Sequence, residues 1–188
     1  MANKDEVVGL AKAYGEYFEG REHCYTAWDF IPKTYIMWDP ESCHEIMDIL
    51  SEQKTDDIKY MGKIARGSHR GEGISLLTLD AIAELQKKYN YGAGCDEKQK
   101  DKFVIQKYIP SPLLINGKKM DFRCFMIIAS ADPLIVFYQD GLVRLAHDEF
   151  DEHSTDISAH LTNISVSKNN LGDQTHEEAM AEAAWTME

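Results

Sequence analysis

Between Lys119 and Ala146 the sequence carries a sustained β pattern that commits the centre of any fold to antiparallel sheet. Lys119 to Ser130 predicts one long strand. Asp132-Pro133 turns the chain, Leu134 to Tyr138 returns, and Asp140-Gly141 leads into a further strand, Leu142 to Ala146. An Asp-Gly pair between apolar runs is a strong hairpin signal, because both residues tolerate the positive φ angles of a tight turn. Side chains alternate along a strand. Lys119, Asp121 and Arg123 therefore share one face, and Met120, Phe122 and Cys124 the other.

Helices flank this region. Val7, Leu10, Ala11, Tyr14 and Phe18 recur at helical spacing and predict an amphipathic helix, its stripe turned to the core, that stops near Gly20. Trp28 to Tyr35 reads as extended, since the residue before Pro32 avoids the helical region. Glu41 to Leu50 predicts a short helix. Ile58 to Ile64 and Gly73 to Leu77 read as strands about a glycine-bearing turn from Arg66 to Gly73. Thr78 is placed to cap a helix over Leu79 to Tyr89, with Lys87 and Lys88 suited to its C-terminus and Asn90 and Gly92 to its end. Tyr91 to Lys100 is a loop of glycine and charge, and Lys102 to Lys107 a strand that Pro110 and Pro112 break. A last helix is expected from about Thr175 onward. The fold class is α/β (α+β), mainly antiparallel sheet with flanking helices.

Bulk properties narrow the function. The 188 residues are 44% hydrophobic and 28% charged, an ordinary globular composition, and no run is apolar for long enough to cross a membrane. The net charge of −12 argues against a general nucleic-acid binder, which needs clustered cations. Charge is unevenly spread: Lys59, Lys63, Arg66 and Arg70 face only Glu72 over residues 59–74, whereas Lys168 is the sole Lys or Arg in the acidic stretch 148–188. Cys24, Cys43, Cys95 and Cys124 are scattered without a C-x-x-C pair, so reduced thiols are expected, and neither cysteine nor histidine has metal-ligand spacing.

Candidate chemistry gathers in four places. Lys119, Asp121 and Arg123, with Arg144 on a later strand, make a charged sheet face; cross-strand ion pairs alone would also explain such a face. The loop Gly67-Ser-His-Arg-Gly-Glu-Gly73 could surround phosphate with backbone amides, yet it fits neither common phosphate-loop pattern and on its own reads more readily as a hairpin turn. Val104 to Pro110 runs a strand into prolines, which would leave backbone groups to read a base edge. His160-Leu-Thr-Asn163 closes a polar loop.

In succession these pieces become specific. Phe30-Ile-Pro-Lys-Thr-Tyr35, Lys63 before the glycine loop, Gln106-Lys-Tyr-Ile-Pro-Ser-Pro-Leu-Leu-Ile115, Gly117-Lys-Lys-Met-Asp-Phe-Arg123, Asp132-Pro-Leu and His160-Leu-Thr-Asn163 closely resemble the tubulin tyrosine ligase-like family. The resemblance runs from about Phe30 to about Asn170. It implies an ATP-grasp-like fold with a linking region over 1–57, a lid over 58–107 and the first part of a C-terminal subdomain over 108–188. It also implies ATP and Mg2+ as cofactors. Lys63 would contact nucleotide phosphates, and Gln106, Lys107, Tyr108 and Ile109 would hold adenine. Lys119, Asp121, His160, Leu161, Thr162 and Asn163 would complete the nucleotide site, with Arg123 and Arg144 as the catalytic cations. No residue here is assigned to the metal.

The implied reaction adds tyrosine, glutamate or glycine to tubulin through an acyl phosphate. The partners would be tubulin, with its acidic tails, and a free amino acid, without nucleic acid or membrane. The implied location is the cytoplasm, with cytoskeleton or cilium. The runner-up is a non-catalytic module that binds nucleotide or tubulin. Two residues depart from the family pattern: Ile64 stands where proline usually follows the lid lysine, and Glu72 where arginine usually separates the last two loop glycines. The family's later acidic metal site has no counterpart after Asn170, so the resemblance implies a fold incomplete at the C-terminus. Residues 1–188 alone are then expected to bind adenine nucleotide weakly, to ligate nothing, and to expose Ile127, Val136 and Phe137.

Overall fold

A computed structural model describes residues 4–18, 21, 25–65, 73–96, 102–163 and 184–186. The chain divides into two compact units, Met1–Pro110 and Ser111–Glu188.

In the first unit, helix α1 (Lys4–Phe18) and a single 3₁₀ turn (Ala27–Asp29) precede strand β1 (Thr34–Ile36) and helix α2 (Pro40–Ser51). Strands β2 (Tyr60–Ile64) and β3 (Ile74–Leu76), helix α3 (Leu79–Lys88), a kinked 3₁₀ segment (Asn90–Asp96) and strand β4 (Phe103–Lys107) follow. The strands form an antiparallel sheet in the order β1-β4-β2-β3. Proline at the start of α2 fits a first turn whose N–H groups lack helical partners, and Cys43, Ile46, Met47 and Leu50 turn one stripe inward. In α3 the Thr78 hydroxyl accepts from the Ala81 amide at 3.2 Å, and the buried Gln86 amide donates to the Met47 carbonyl at 2.9 Å. Asn90, Tyr91 and Gly92 take positive φ and end the helix where the sequence predicts, although 3₁₀ turns replace part of the expected loop. Tyr35, Met37, Ile46, Met47, Leu50, Ile82 and Ile105 belong to the core that this packing buries.

Two expectations for this unit are corrected. Most of the α1 stripe is not core: Leu10 is 69% exposed, Val7 and Tyr14 are exposed as well, and among the described residues of the helix only Val8 and Ala11 are buried. Gly15 follows on that same side and has no side chain with which to extend the contact. The other side, with Ile31, lines an open apolar groove. The cysteines are not all reduced thiols either. Cys43 and Cys95 form a disulfide, with Cα atoms 5.6 Å apart across 52 residues of sequence. They meet because α2 packs against the 3₁₀ segment, an adjacency that linear spacing does not contain.

In the second unit, β5 (Leu114–Ile115), β6 (Lys118–Ala131), β7 (Leu134–Leu145) and β8 (Ala184–Thr186) form an antiparallel sheet in that order, with a one-turn helix α4 (Ile157–His160) between β7 and β8. Again two expectations fail. Asp140-Gly141 makes no hairpin: β7 runs straight through it, and the pair sits opposite a register shift between Arg123 and Phe125. A Cβ on Gly141 would lie 1.6 Å from the Arg123 carbonyl oxygen, so glycine is there for close backbone approach at a bulge. The terminal helix fails at residues 184–186, where Trp185 pairs with Val143 as a strand. Residues 175–183 of that expected helix, and 66–72 of the glycine loop, lie outside the described residues. Far along the hairpin both faces are open: Ile127 is 65% exposed, Phe137 61% and Val136 42%.

The mixture of helices with two antiparallel sheets agrees with the predicted fold class. For the buried cross-link, Cys43→Ala is expected to lower unfolding free energy by about 2–5 kcal/mol. Cys124→Ala, at an exposed free thiol, should stay within about 0.5 kcal/mol of the parent. Urea titration measures both, and peptide mapping without reductant should recover Cys43 linked to Cys95.

Candidate functional site

Each unit holds its own part of the predicted constellation. In the first, β4 lies between β1 and β2, so residues of all three strands share one row. Thr34 stands opposite Gln106, and Gln106 opposite Met61, with Lys63 two residues further along β2. The Lys63 ammonium donates to the Gln106 side-chain oxygen, and the Gln106 amide donates to the Thr34 hydroxyl at 2.8 Å. Lys63 is mostly buried. Desolvation lowers its pKa from the usual lysine range, and the Lys4 charge lowers it further. An ammonium in this setting, hydrogen-bonded to a neutral amide, is prepared for an anion.

Beyond Gln106 the strand end differs from expectation. The amides of Lys107 and Tyr108 donate to the carbonyls of Lys33 and Lys59, each at 2.8 Å, and are not left to read a base edge. Tyr108 is itself buried, which pushes its hydroxyl up to about 12. Lys107 and Ile109 are exposed and offer a cation and an apolar side chain to solvent. Gly73 closes the glycine loop at a φ of +67°, where a Cβ would strike Ile64.

In the second unit, Asp121 on β6 and Arg144 on β7 are direct cross-strand partners. The Arg144 Nε donates to one carboxylate oxygen at 2.8 Å and its Nη2 to the other, a two-pronged pair. Arg123 stands on the same face, opposite Leu142, and lies 5.8 Å from the centre of the Phe125 ring. His160, Leu161 and Thr162 are buried, and Asn163 is half-buried. His160 Nε2 is 2.8 Å from the Ser154 carbonyl, and its ring meets Phe150 edge-on. Burial lowers the His160 pKa below its ordinary 6.5; the Ser154 hydrogen bond opposes this, and the nearby Lys119 charge adds to it.

The structure thus joins Lys63 to Gln106, ties Asp121 to Arg144 and brings Lys119 within electrostatic reach of His160. Sequence reasoning gave Thr34 no role, although it lies in the Phe30 to Tyr35 motif; a threonine two residues after proline carries no sign of its strand partner. Ser158 was missed too. Its hydroxyl lies 2.6 Å from Asp156 and also bonds Asp148, fixing the loop before His160. Among the described residues no cluster of three or more His, Cys, Asp or Glu is arranged to hold a metal ion. Nor is any described helix long and apolar enough to cross a membrane.

Residues 4–188 match the tubulin-tyrosine ligase family. The chain is 35% identical over 172 residues to a protein polyglycylase of Mus musculus, covering 85% of this chain and 23% of that protein. It is 30% identical over 168 residues to a tubulin polyglutamylase of Mus musculus, covering 86% of this chain and 16% of that one. It is also 36% identical over 108 residues to an inactive polyglycylase of Homo sapiens, covering 54% and 16%. The chain therefore spans less than a quarter of the length of these relatives.

Two measurements test the site's electrostatics. Arg144→Ala should destabilise the fold by about 1 kcal/mol, a value discounted because the pair is partly exposed, and a double-mutant cycle with Asp121→Ala should recover most of that as coupling. Arg123→Ala should stay within about 0.5 kcal/mol. For His160, the folded value lies below the unfolded one, so the unfolded chain takes up the proton first. Stability should fall as pH drops through 6.5 and level off once pH passes below the folded value. Urea unfolding at pH 7.5 and 5 should show this loss, and His160→Gln should remove it.

Proposed function

The chain belongs to the tubulin-tyrosine ligase family, and on that footing we propose that it forms part of an ATP-dependent ligase that joins an amino acid to tubulin. The mostly buried Lys63 ammonium, held by the neutral Gln106 amide, carries the proposal. A desolvated cation with no carboxylate partner among the described residues suits the phosphates of a nucleotide. Exposed Lys107 and Ile109 at the end of β4 suit a base. Two relatives are named for adding glutamate or glycine, and one of them names tubulin as the acceptor.

ATP, when bound, supplies the phosphoryl group that makes a carboxylate open to attack by an amine. The chain's own residues bind and orient. Lys63 would neutralise phosphate charge in a low-dielectric setting, where one fixed ammonium counts for more than in water. Arg144, held in plane by both oxygens of Asp121, keeps a fixed direction along its strand. Arg123, more exposed on the same face, is the freer cation for an acidic substrate. Because Arg144 already engages both Asp121 oxygens, Mg2+ would rely mainly on the nucleotide and water for its ligands here. The partners on this reading are tubulin with its acidic tails and a free amino acid, in the cytoplasm, at the cytoskeleton or in a cilium.

A second reading, a module that binds nucleotide or tubulin without ligating, is favoured by the inactive human relative and by the Glu72 departure. One experiment separates them. The whole protein containing this segment should incorporate labelled tyrosine, glutamate or glycine into tubulin only with ATP. Lys63→Ala should reduce that rate about a hundredfold or more. ATP binding in calorimetry without incorporation of any of the three would favour the binding module; no ATP binding by the folded protein would count against the nucleotide site itself.

A further inference from the structure

We propose that Thr34 is a positioning residue for Lys63, its hydroxyl setting which end of the Gln106 amide faces the lysine. The Thr34 hydroxyl donates to the Pro32 carbonyl at 2.8 Å. A hydroxyl has one proton. With that proton committed to Pro32, Thr34 can only accept from its other neighbour, and it accepts the Gln106 N–H at 2.8 Å. The amide oxygen of Gln106 is thereby turned to the Lys63 ammonium. Flipping the amide would set its NH2 group against an ammonium and its oxygen against an oxygen with no proton to give. Hydrogen-bond direction thus passes from a backbone carbonyl through two side chains to the cation.

Burial protects this relay. Thr34 is 5% exposed and β-branched in a strand paired to β4, so its own rotamer has little freedom. On its nitrogen side, among the described residues, the amide has a weaker second anchor in the Pro32 carbonyl at 3.4 Å, and on its oxygen side it meets Lys63. The other charge acting on Lys63 is Lys4, whose ammonium donates to the Ile64 carbonyl at 2.7 Å and acts against protonation. The oriented Gln106 oxygen opposes that effect. For ligand binding, the role rests on the proposal that Lys63 meets nucleotide phosphate; for the free protein it does not.

The test compares the parent chain with Thr34→Val, Thr34→Ser and Gln106→Leu. Valine matches threonine in shape and strand preference, and thermal melting confirms that each variant is folded. The first readout needs no ligand. Competitive acylation of lysines across a pH series, followed by peptide mass spectrometry, gives the pH at which Lys63 reacts half-maximally. Loss of the oriented oxygen removes support for the charged form, so Thr34→Val should lower that pH by about one unit. Gln106→Leu, which leaves β1 untouched, should lower it at least as far, and Thr34→Ser should restore the parent value. The second readout is calorimetry with ATP, where Thr34→Val should weaken affinity about tenfold and Thr34→Ser should not.

An unchanged Lys63 titration in Thr34→Val would overturn the proposal, as would failure of serine to restore it. If the titration shifts as expected while the parent chain binds no ATP, the positioning role stands and the nucleotide proposal fails.

Discussion

The first unit depends on β4 being paired on both sides. A strand between two antiparallel neighbours has its N–H and C=O groups engaged along both edges, and its side chains are held to one period of two. That register places Gln106 between Thr34 and Met61, and it brings Lys63 close enough to donate to the same amide. Shifting either partner by one residue would turn Thr34 or Lys63 to the opposite face of the sheet. The opposite face of the same strand holds Ile105 in the core, so the pairing that buries apolar surface also assembles the polar row.

The second unit uses strand pairing differently. Near Lys119 and Leu145 the sheet is at least partly covered, and Asp121 and Arg144 lie in register there, where a two-pronged ion pair has some shelter from water. Past the shift at Gly141 the hairpin continues with both faces open. The bulge separates the two regimes: it interrupts pairing next to Arg123, and it requires a residue without a side chain because the Arg123 carbonyl occupies that space. Arg123 thus stands at the edge of the ordered charged face, more exposed than Arg144 and outside the ion pair. That difference underlies the distinct roles proposed for the two arginines.

Elements with a local cause were legible in the sequence. Helix α3 follows from the Thr78 cap, its apolar spacing and the positive φ angles at Asn90 and Gly92. Helix α2 follows from Pro40 and a regular apolar stripe. The long strand from Lys119 follows from alternation. Features that depend on a distant neighbour were not legible. Asp140-Gly141 has the chemistry of a turn, but β6 continued alongside and made it a bulge. The α1 stripe has helical spacing, but the helix docks by the side that carries Val8 and Ala11, leaving Leu10 in solvent. Cys43 and Cys95 carry no local sign of each other, because their adjacency is a property of helix packing.

The site divides along the same line. The sequence by itself determined residue types, their order along the chain and the alternation that puts Lys119, Asp121 and Arg123 on one strand face, and it carried the succession of motifs that resembles the family. Those quantities are set by covalent order and by the two-residue period of a strand. Only the tertiary structure decided that Asp121 is tied to Arg144, that the Lys107 and Tyr108 amides are already engaged, and that Lys63 rests on Gln106 with Thr34 behind it. Hydrogen-bond partners and desolvation arise from segments tens of residues apart meeting in space, and no local pattern in the chain records which of them will meet.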